Sequence, residues 1–187
     1  GKDRKGTFKR LQSIASERTF SLSQVEPFSL NGITLSSTLI RDTISQGKVE
    51  LARQYLGHPF SLFGKVVEGD KRGRELGYRT ANVESMQLLK LIPKVGVYVV
   101  KIVVLDQHYF GMCNVGFNPT FHGQECRIEV HIFDFNSDIY EEEIGLYFLS
   151  KIRDEEKFET KDQLREQLRT DEEISKTIIK NLSSTGG

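Results

Sequence analysis

The chain is poor in the features that mark several large protein classes. It has two cysteines, Cys113 and Cys126, with no CxxC pair. Its four histidines, His58, His108, His122 and His131, make no zinc-ligand spacing with them. A disulfide framework and a structural zinc site are therefore set aside, and two buried free thiols in a reducing compartment are expected. Neither charge is in excess: Lys+Arg and Asp+Glu are both 26 in 187 residues. A dedicated nucleic-acid or membrane-surface protein would carry a basic surplus, so no nucleic-acid and no membrane partner is expected. No apolar run is long enough to span a bilayer and no signal-peptide pattern is present, so the expectation is a soluble, cytoplasmic protein. There is no internal repeat and no low-complexity tract beyond the Ser-Ser-Thr-Gly-Gly tail.

Against that background, residues 64–82 stand out. A strand-like start at Leu62–Val67 runs into a loop with Gly69, Gly73 and Gly77, studded by Lys71, Arg72 and Arg74. It ends on Thr80-Ala81-Asn82. Glycines let backbone N–H groups approach an anion closely, and the cations neutralise it. Hydroxyl and amide oxygens suit a hard Mg²⁺ that shares phosphate ligands. The segment reads as a polyphosphate-binding loop; on composition alone a solvated hairpin loop fits as well. The Walker A pattern is not met, because Asp70 and Lys71 follow where Lys and Ser/Thr are needed.

Periodicity gives two textures. Residues 1–56 read as an α/β fragment: a helix over Thr7–Glu17, a weak strand over Phe20–Phe28, a turn at Asn31-Gly32, a helix N-capped by Ser36 or Ser37, and a short helix Val49–Leu56. A boundary is placed at Gly57-His58-Pro59. From Phe60 short β segments follow: Leu62–Glu68, Val95–Leu105, Tyr109–Val115, Arg127–Phe135 and Ile144–Leu149. With no helix long enough for parallel crossovers, they predict a mainly β domain, a small antiparallel Greek-key-like barrel or a sandwich. A C-terminal helix opens on a Thr160/Gln163 capping box, and Leu164, Leu168, Ile174 and Ile178 form its packing stripe.

Within the β region, Arg127 to Phe135 alternates, with Ile128, Val130 and Ile132 on one face and Glu129, His131 and Phe133 on the other. A carboxylate set among β-branched residues is a candidate general base. A solvent-facing glutamate on a one-sided sheet is the plainer alternative. Asn114 to Gly123 has the Asn, Gly and Pro content of a shaped loop that offers hydrogen bonds to a ligand, or of an ordinary β connection. Arg153 to Phe158 is a charged entrance to the last helix.

These segments in order resemble riboflavin kinase, and in particular the C-terminal part of the bacterial bifunctional riboflavin kinase/FMN adenylyltransferases, the FAD synthetases. The resemblance runs from about residue 57 to about 175. It rests on Gly64-x-Val-x-x-Gly69, Leu76 to Asn82, Gly96-Val97-Tyr98, Asn114 to Thr120, Glu129-Val-His131, Asp138-Ile-Tyr140 and Arg153-Asp-Glu-x-x-Phe158. Residues 1–56 resemble the tail of the adenylyltransferase domain, with Gly1 to Gly6 like its Arg-containing loop and Leu35 to Arg41 like its Ser-Ser-Thr-x-Ile-Arg motif. The family's HxGH-type motif is not in this sequence. The resemblance thus implies a C-terminal fragment of that domain at 1–56 and a riboflavin kinase domain at 57–187. FMN adenylylation is expected only in a full-length parent, whose N-terminal part is the expected partner.

The implied reaction is transfer of the ATP γ-phosphoryl group to the ribityl 5′-hydroxyl of riboflavin, giving FMN and ADP, with Mg²⁺ or another divalent cation. By resemblance Glu129 is the catalytic base, and Thr80 and Asn82 hold the metal. Gly69, Lys71, Arg74 and Thr80 bind ATP, and Asn118, Thr120, Arg153, Glu155 and Phe158 bind flavin. Arg79 stands where the family usually has proline, which removes a fixed φ at the entrance to the metal-binding segment. A non-catalytic flavin- or nucleotide-binding or docking module is the alternative. An oligonucleotide-binding barrel is disfavoured by the zero net charge and the lack of a basic aromatic strand face.

Overall fold

A computed structural model describes residues 8–18, 20–69, 77–86, 91–120 and 123–184, with the side chains of 118–120 and 123–125 not among them. The chain divides into two compact units, residues 1–35 and 36–187.

In the first unit, α1 (Phe8–Glu17) buries none of its residues. A two-rung hairpin follows, β1 (Ser29–Leu30) with β2 (Ile33–Thr34). Its turn at Asn31-Gly32 has positive φ at both residues, the geometry Asn-Gly favours. The strand expected over Phe20–Phe28 does not form; that stretch is irregular, and Phe20, Val25 and Phe28 are exposed. Its ends are held by single backbone bonds, the Phe20 amide to the Arg18 carbonyl at 2.8 Å and the Leu35 amide to the Phe28 carbonyl at 2.9 Å, with no ladder between them among the described residues.

The second unit opens with α2 (Ser37–Ser45). Ser36 is its N-cap, the hydroxyl accepting from the Leu39 amide at 3.2 Å. α3 (Val49–Leu56) ends at Gly57, whose φ of 78° is the left-handed closure. Ile44, Val49 and Ala52 from these helices join the barrel core. Glu50 fixes α3 to the barrel by accepting from the Ser150 hydroxyl at 2.5 Å and the Lys151 amide at 2.9 Å.

The barrel has six strands: β3 (Phe60–Val67), β4 (Ala81–Ser85), β5 (Gly96–Val104), β6 (Gln107–Thr120), β7 (Gly123–Ile132) and β8 (Glu143–Arg153). They close in the order β3-β4-β7-β6-β5-β8, all neighbours antiparallel. Leu62, Val66, Tyr98, Val100, Ile102, Val115, Val130, Leu146 and Phe148 fill the inside, each at most 1% exposed. Apolar residues at every second position give each strand one face to bury. Two details differ from expectation. Ala81 and Asn82, read as the end of a loop, open strand β4. The shaped loop expected from Asn114 instead continues β6 to Thr120, paired to β7 throughout.

The final helix, α4 (Lys161–Ser184), carries the expected reciprocal cap. The Gln163 amide donates to the Thr160 hydroxyl at 3.2 Å, and the Thr160 amide donates to the Gln163 carboxamide at 3.3 Å. Its docking is less apolar than the stripe predicts. Ile174 is 40% exposed, whereas Asp171 and Ser175 are fully buried. Arg153 grips the Asp171 carboxylate with Nε at 3.0 and 3.1 Å and Nη2 at 2.8 Å, and Gln167 adds a donor at 2.8 Å. A buried carboxylate is tolerable only with such a full donor set.

Candidate functional site

The short strand β4 organises the site. It pairs with β3 over four residues, from Gly64↔Ser85 to Val67↔Asn82. With β7 it makes two rungs, Ala81↔Val130 and Asn82↔Glu129. Glu129 in turn faces Asn114 on β6, Asn114 faces Val97 on β5, and Val97 faces Arg153 on β8. Asn82, Glu129, Asn114 and Arg153 therefore lie on one transverse row. The strand neighbours of the first three, Val83, Ile128, Val130, Cys113 and Val115, are buried in the barrel, so the row lies on the outer face.

Glu129 ion-pairs with Arg127, two positions back on the same face; each side chain is 23% exposed. Gly69, just past β3, lies flat against Asn82, and any Cβ there would overlap the Asn82 carboxamide. That close approach is a physical reason for glycine at 69. Glu155 arrives from the segment after β8. A Cβ on Gly116 would sit 2.8 Å from its Oε1 and 3.7 Å from Asn114 Nδ2, so this carboxylate covers the row beside Asn114.

Cavities open at both ends of the β4–β7 seam. At the Thr80 end lies one of about 190 Å³, lined by Val66, Arg79, Thr80, Ile132, Asp138 and Tyr140 among others. At the Asn82 end lies a cleft of about 380 Å³, lined by Gly69, Asn82, Arg127 and Cys126 among others. Burial pushes the Cys126 thiol up, which keeps it protonated and a poor nucleophile. The second thiol, Cys113, is fully buried, and both are free.

The expected site residues thus fare differently. Glu129, Asn82, Gly69 and Glu155 come together on one face, and Thr80 stands at the lip of the adjoining cavity. Arg153 reaches the same row, but its guanidinium is engaged by Asp171, with the Phe158 ring 5.7 Å away. Lys71 and Arg74 lie outside the described residues. Asn118 and Thr120 sit on β6 opposite Glu125 and Gly123, their side chains outside the described set. Arg79 turns its guanidinium to Asn136 at 2.6 Å.

Arg127 is absent from the residues singled out for the site by sequence, whereas Asn114 and Asp138–Tyr140 fall in segments that carry the resemblance but have no assigned site role. Arg127 had a signal, because i and i+2 share a face of a strand.

Among the described residues no group of three or more His, Cys, Asp or Glu side chains could hold a metal. What the seam offers is the Thr80 hydroxyl, the Asn82 carboxamide and the Glu129 carboxylate. This hard-oxygen set fits a Mg²⁺-like cation that completes its shell with water and phosphate oxygens.

A closed antiparallel barrel with polar groups on a short seam between two cavities defines a small-molecule binding or group-transfer domain. Residues 56–179 match the family model described as flavokinase, riboflavin kinase. The chain belongs to the riboflavin kinase family. It is 40% identical over 181 residues to the bifunctional riboflavin kinase/FMN adenylyltransferase of Buchnera aphidicola, covering 94% of this chain and 57% of that protein. The Bacillus subtilis and Escherichia coli proteins of the same description are 37% and 36% identical, covering 97% and 92% of this chain and 58% and 55% of theirs. The chain therefore spans a little over half the length of these relatives. A crystal structure from Streptococcus pneumoniae, described as a macrolide-efflux protein, superposes with a TM-score of 0.78 at 45% identity, covering 81% of this chain and 50% of that one.

Proposed function

We propose that this chain transfers the γ-phosphoryl group of ATP to the ribityl 5′-hydroxyl of riboflavin, giving FMN and ADP. The observation that carries this reading is the Asn82↔Glu129 rung, which sets a carboxylate beside a metal-suited amide at a seam with a cavity at each end. Phosphoryl transfer needs positioning and charge neutralisation more than covalent chemistry, and this arrangement supplies both. Glu129 takes the proton of the attacking hydroxyl. For that its carboxylate exchanges the Arg127 partner for the substrate hydroxyl. Thr80 and Asn82 hold a divalent cation, which when bound neutralises phosphate charge. Gly69 with Lys71 and Arg74 covers the phosphates. Asn118, Thr120, Glu155 and Phe158 flank the flavin, with Arg153 at the end of β8, held by Asp171 of α4, bracing that wall.

The domain reading is 1–56 from an adenylyltransferase part and 57–187 as the kinase; the family match beginning at residue 56 supports it. FAD formation is expected only of a protein that carries a complete adenylyltransferase domain. Two free thiols support a reducing, cytoplasmic setting. The efflux role described for the S. pneumoniae protein is not adopted: the family match favours the kinase, and no helix among the described residues is long and apolar enough to cross a membrane.

Purified chain is mixed with riboflavin, ATP and Mg²⁺, and the flavins are separated by chromatography. FMN with stoichiometric ADP and no FAD is expected. A Glu129→Gln variant is expected to keep riboflavin binding and lose turnover by about 10²–10⁴-fold. Riboflavin binding without FMN in the parent chain would make it a binding module, and retained turnover in the variant would remove Glu129 as the base.

A further inference from the structure

Residues 77–80 lead into β4 but belong to no ladder. Thr80 is therefore placed by side-chain contacts on either side of it. The His131 ring nitrogen Nδ1 lies 2.8 Å from the Arg79 carbonyl. A carbonyl only accepts, so Nδ1 carries the hydrogen and donates. The same ring meets Tyr78 edge-on at 5.1 Å and Phe133 at 5.7 Å. Tyr78 donates its hydroxyl to Glu172 of α4 at 3.1 Å, and burial together with that carboxylate pushes its pKa up to about 12, keeping it a donor. Lys176 closes the circuit, bonding Glu172 at 2.6 Å and lying over the Phe133 ring at 5.7 Å.

We infer that His131 is a positioning residue that sets Thr80 at a fixed place relative to Glu129, with Tyr78 and α4 bracing it from outside. His131 and Glu129 alternate onto the same face of β7, one pleat apart. The strand that presents the proposed base therefore also holds the carbonyl one residue before Thr80, so both ends of the reacting pair share one rigid element. The C-terminal helix becomes a support for the nucleotide end of the site as well as a cover for the barrel. This rests on the reading that Thr80 contacts ATP.

The test compares His131→Leu, which removes the donor, with His131→Asn, whose amide N–H is able to replace Nδ1–H toward the Arg79 carbonyl. Initial rates are measured against MgATP and riboflavin separately, and hydrogen exchange over residues 77–82 is followed without substrates. His131→Leu is expected to raise KM for MgATP about tenfold, in keeping with one lost hydrogen bond, with KM for riboflavin changed less than about twofold. Exchange in 77–82 is expected to accelerate, and His131→Asn to restore both readouts. Equal rises in both KM values, or no rescue by asparagine, would make His131 a packing residue and overturn the inference. If the parent chain makes no FMN, the kinase reading fails and exchange alone judges the positioning role; unchanged exchange in His131→Leu then overturns it.

Discussion

The two sides of the barrel are built differently. β5 pairs with β6 over nine residues and with β8 over eight, and the side chains beneath them are almost entirely buried. β4 touches β7 at two rungs, with a cavity at each end. On the dense side, position comes from the ladder. At the seam it comes from individual side-chain bonds: His131 to the Arg79 carbonyl, Arg79 to Asn136, Tyr78 to Glu172. A continuous ladder leaves no room for substrates between its strands, whereas a short one exposes polar side chains without unravelling the barrel. Ligand-binding segments in general come from the less stable parts of a fold.

That contrast makes separable predictions. The largest effect is on the dense side. Leu146→Ala removes a fully buried side chain and is expected to cost about 2–5 kcal/mol in urea unfolding, with KM values unchanged in the folded fraction. A matching loss of ATP affinity would mean that the two sides are not independent. Next comes Arg79→Ala at the seam. It removes an exposed hydrogen bond and is expected to change stability by less than about 1 kcal/mol. KM for MgATP should nevertheless rise severalfold, because the Asn136 tether across the cavity mouth is gone. An unchanged KM would show that this tether does not serve nucleotide binding.

The smallest effect is in acid. The Lys176 bond, joined by the Tyr78 hydroxyl and opposed by partial burial, holds the Glu172 carboxyl below its ordinary 4.5. A carboxyl depressed on folding stabilises fully above its unfolded value, and that contribution is lost as pH falls through the folded one. The stability difference between the parent and Glu172→Gln should be constant near pH 6. It should shrink as pH drops below about 4.5, with a total under about 1 kcal/mol for so accessible a pair. A difference independent of pH would assign the contact to packing rather than charge.

Much of the β domain is legible in sequence because its signals are local. Alternation over 127–135 identifies β7 and puts Glu129 on the face opposite Ile128 and Val130. Ser36, Gly57 and the Thr160/Gln163 pair mark helix ends through bonds within a few residues. β4 was not legible: Ala81-Asn82-Val83-Glu84-Ser85 has one β-branched residue, and its strand conformation comes from the two neighbours that sandwich it. The C-terminal helix shows the same division. Leu164 and Leu168 follow the helical period, but its anchor is Asp171, a charged residue whose burial is tolerable only because Arg153 of β8 meets it.

By itself, then, the sequence determined the barrel's strands in outline, the helix caps, the family membership and the chemical types available to the site. Each depends on residue identity or on spacing within one element. Tertiary structure decided the rest: that Asn82, Glu129 and Asn114 form one row, that Arg153 serves α4, and that His131 holds the approach to Thr80. Those depend on packing between elements distant in the chain and, for the row, on strand register, where a shift of one residue would turn every side chain to the other face.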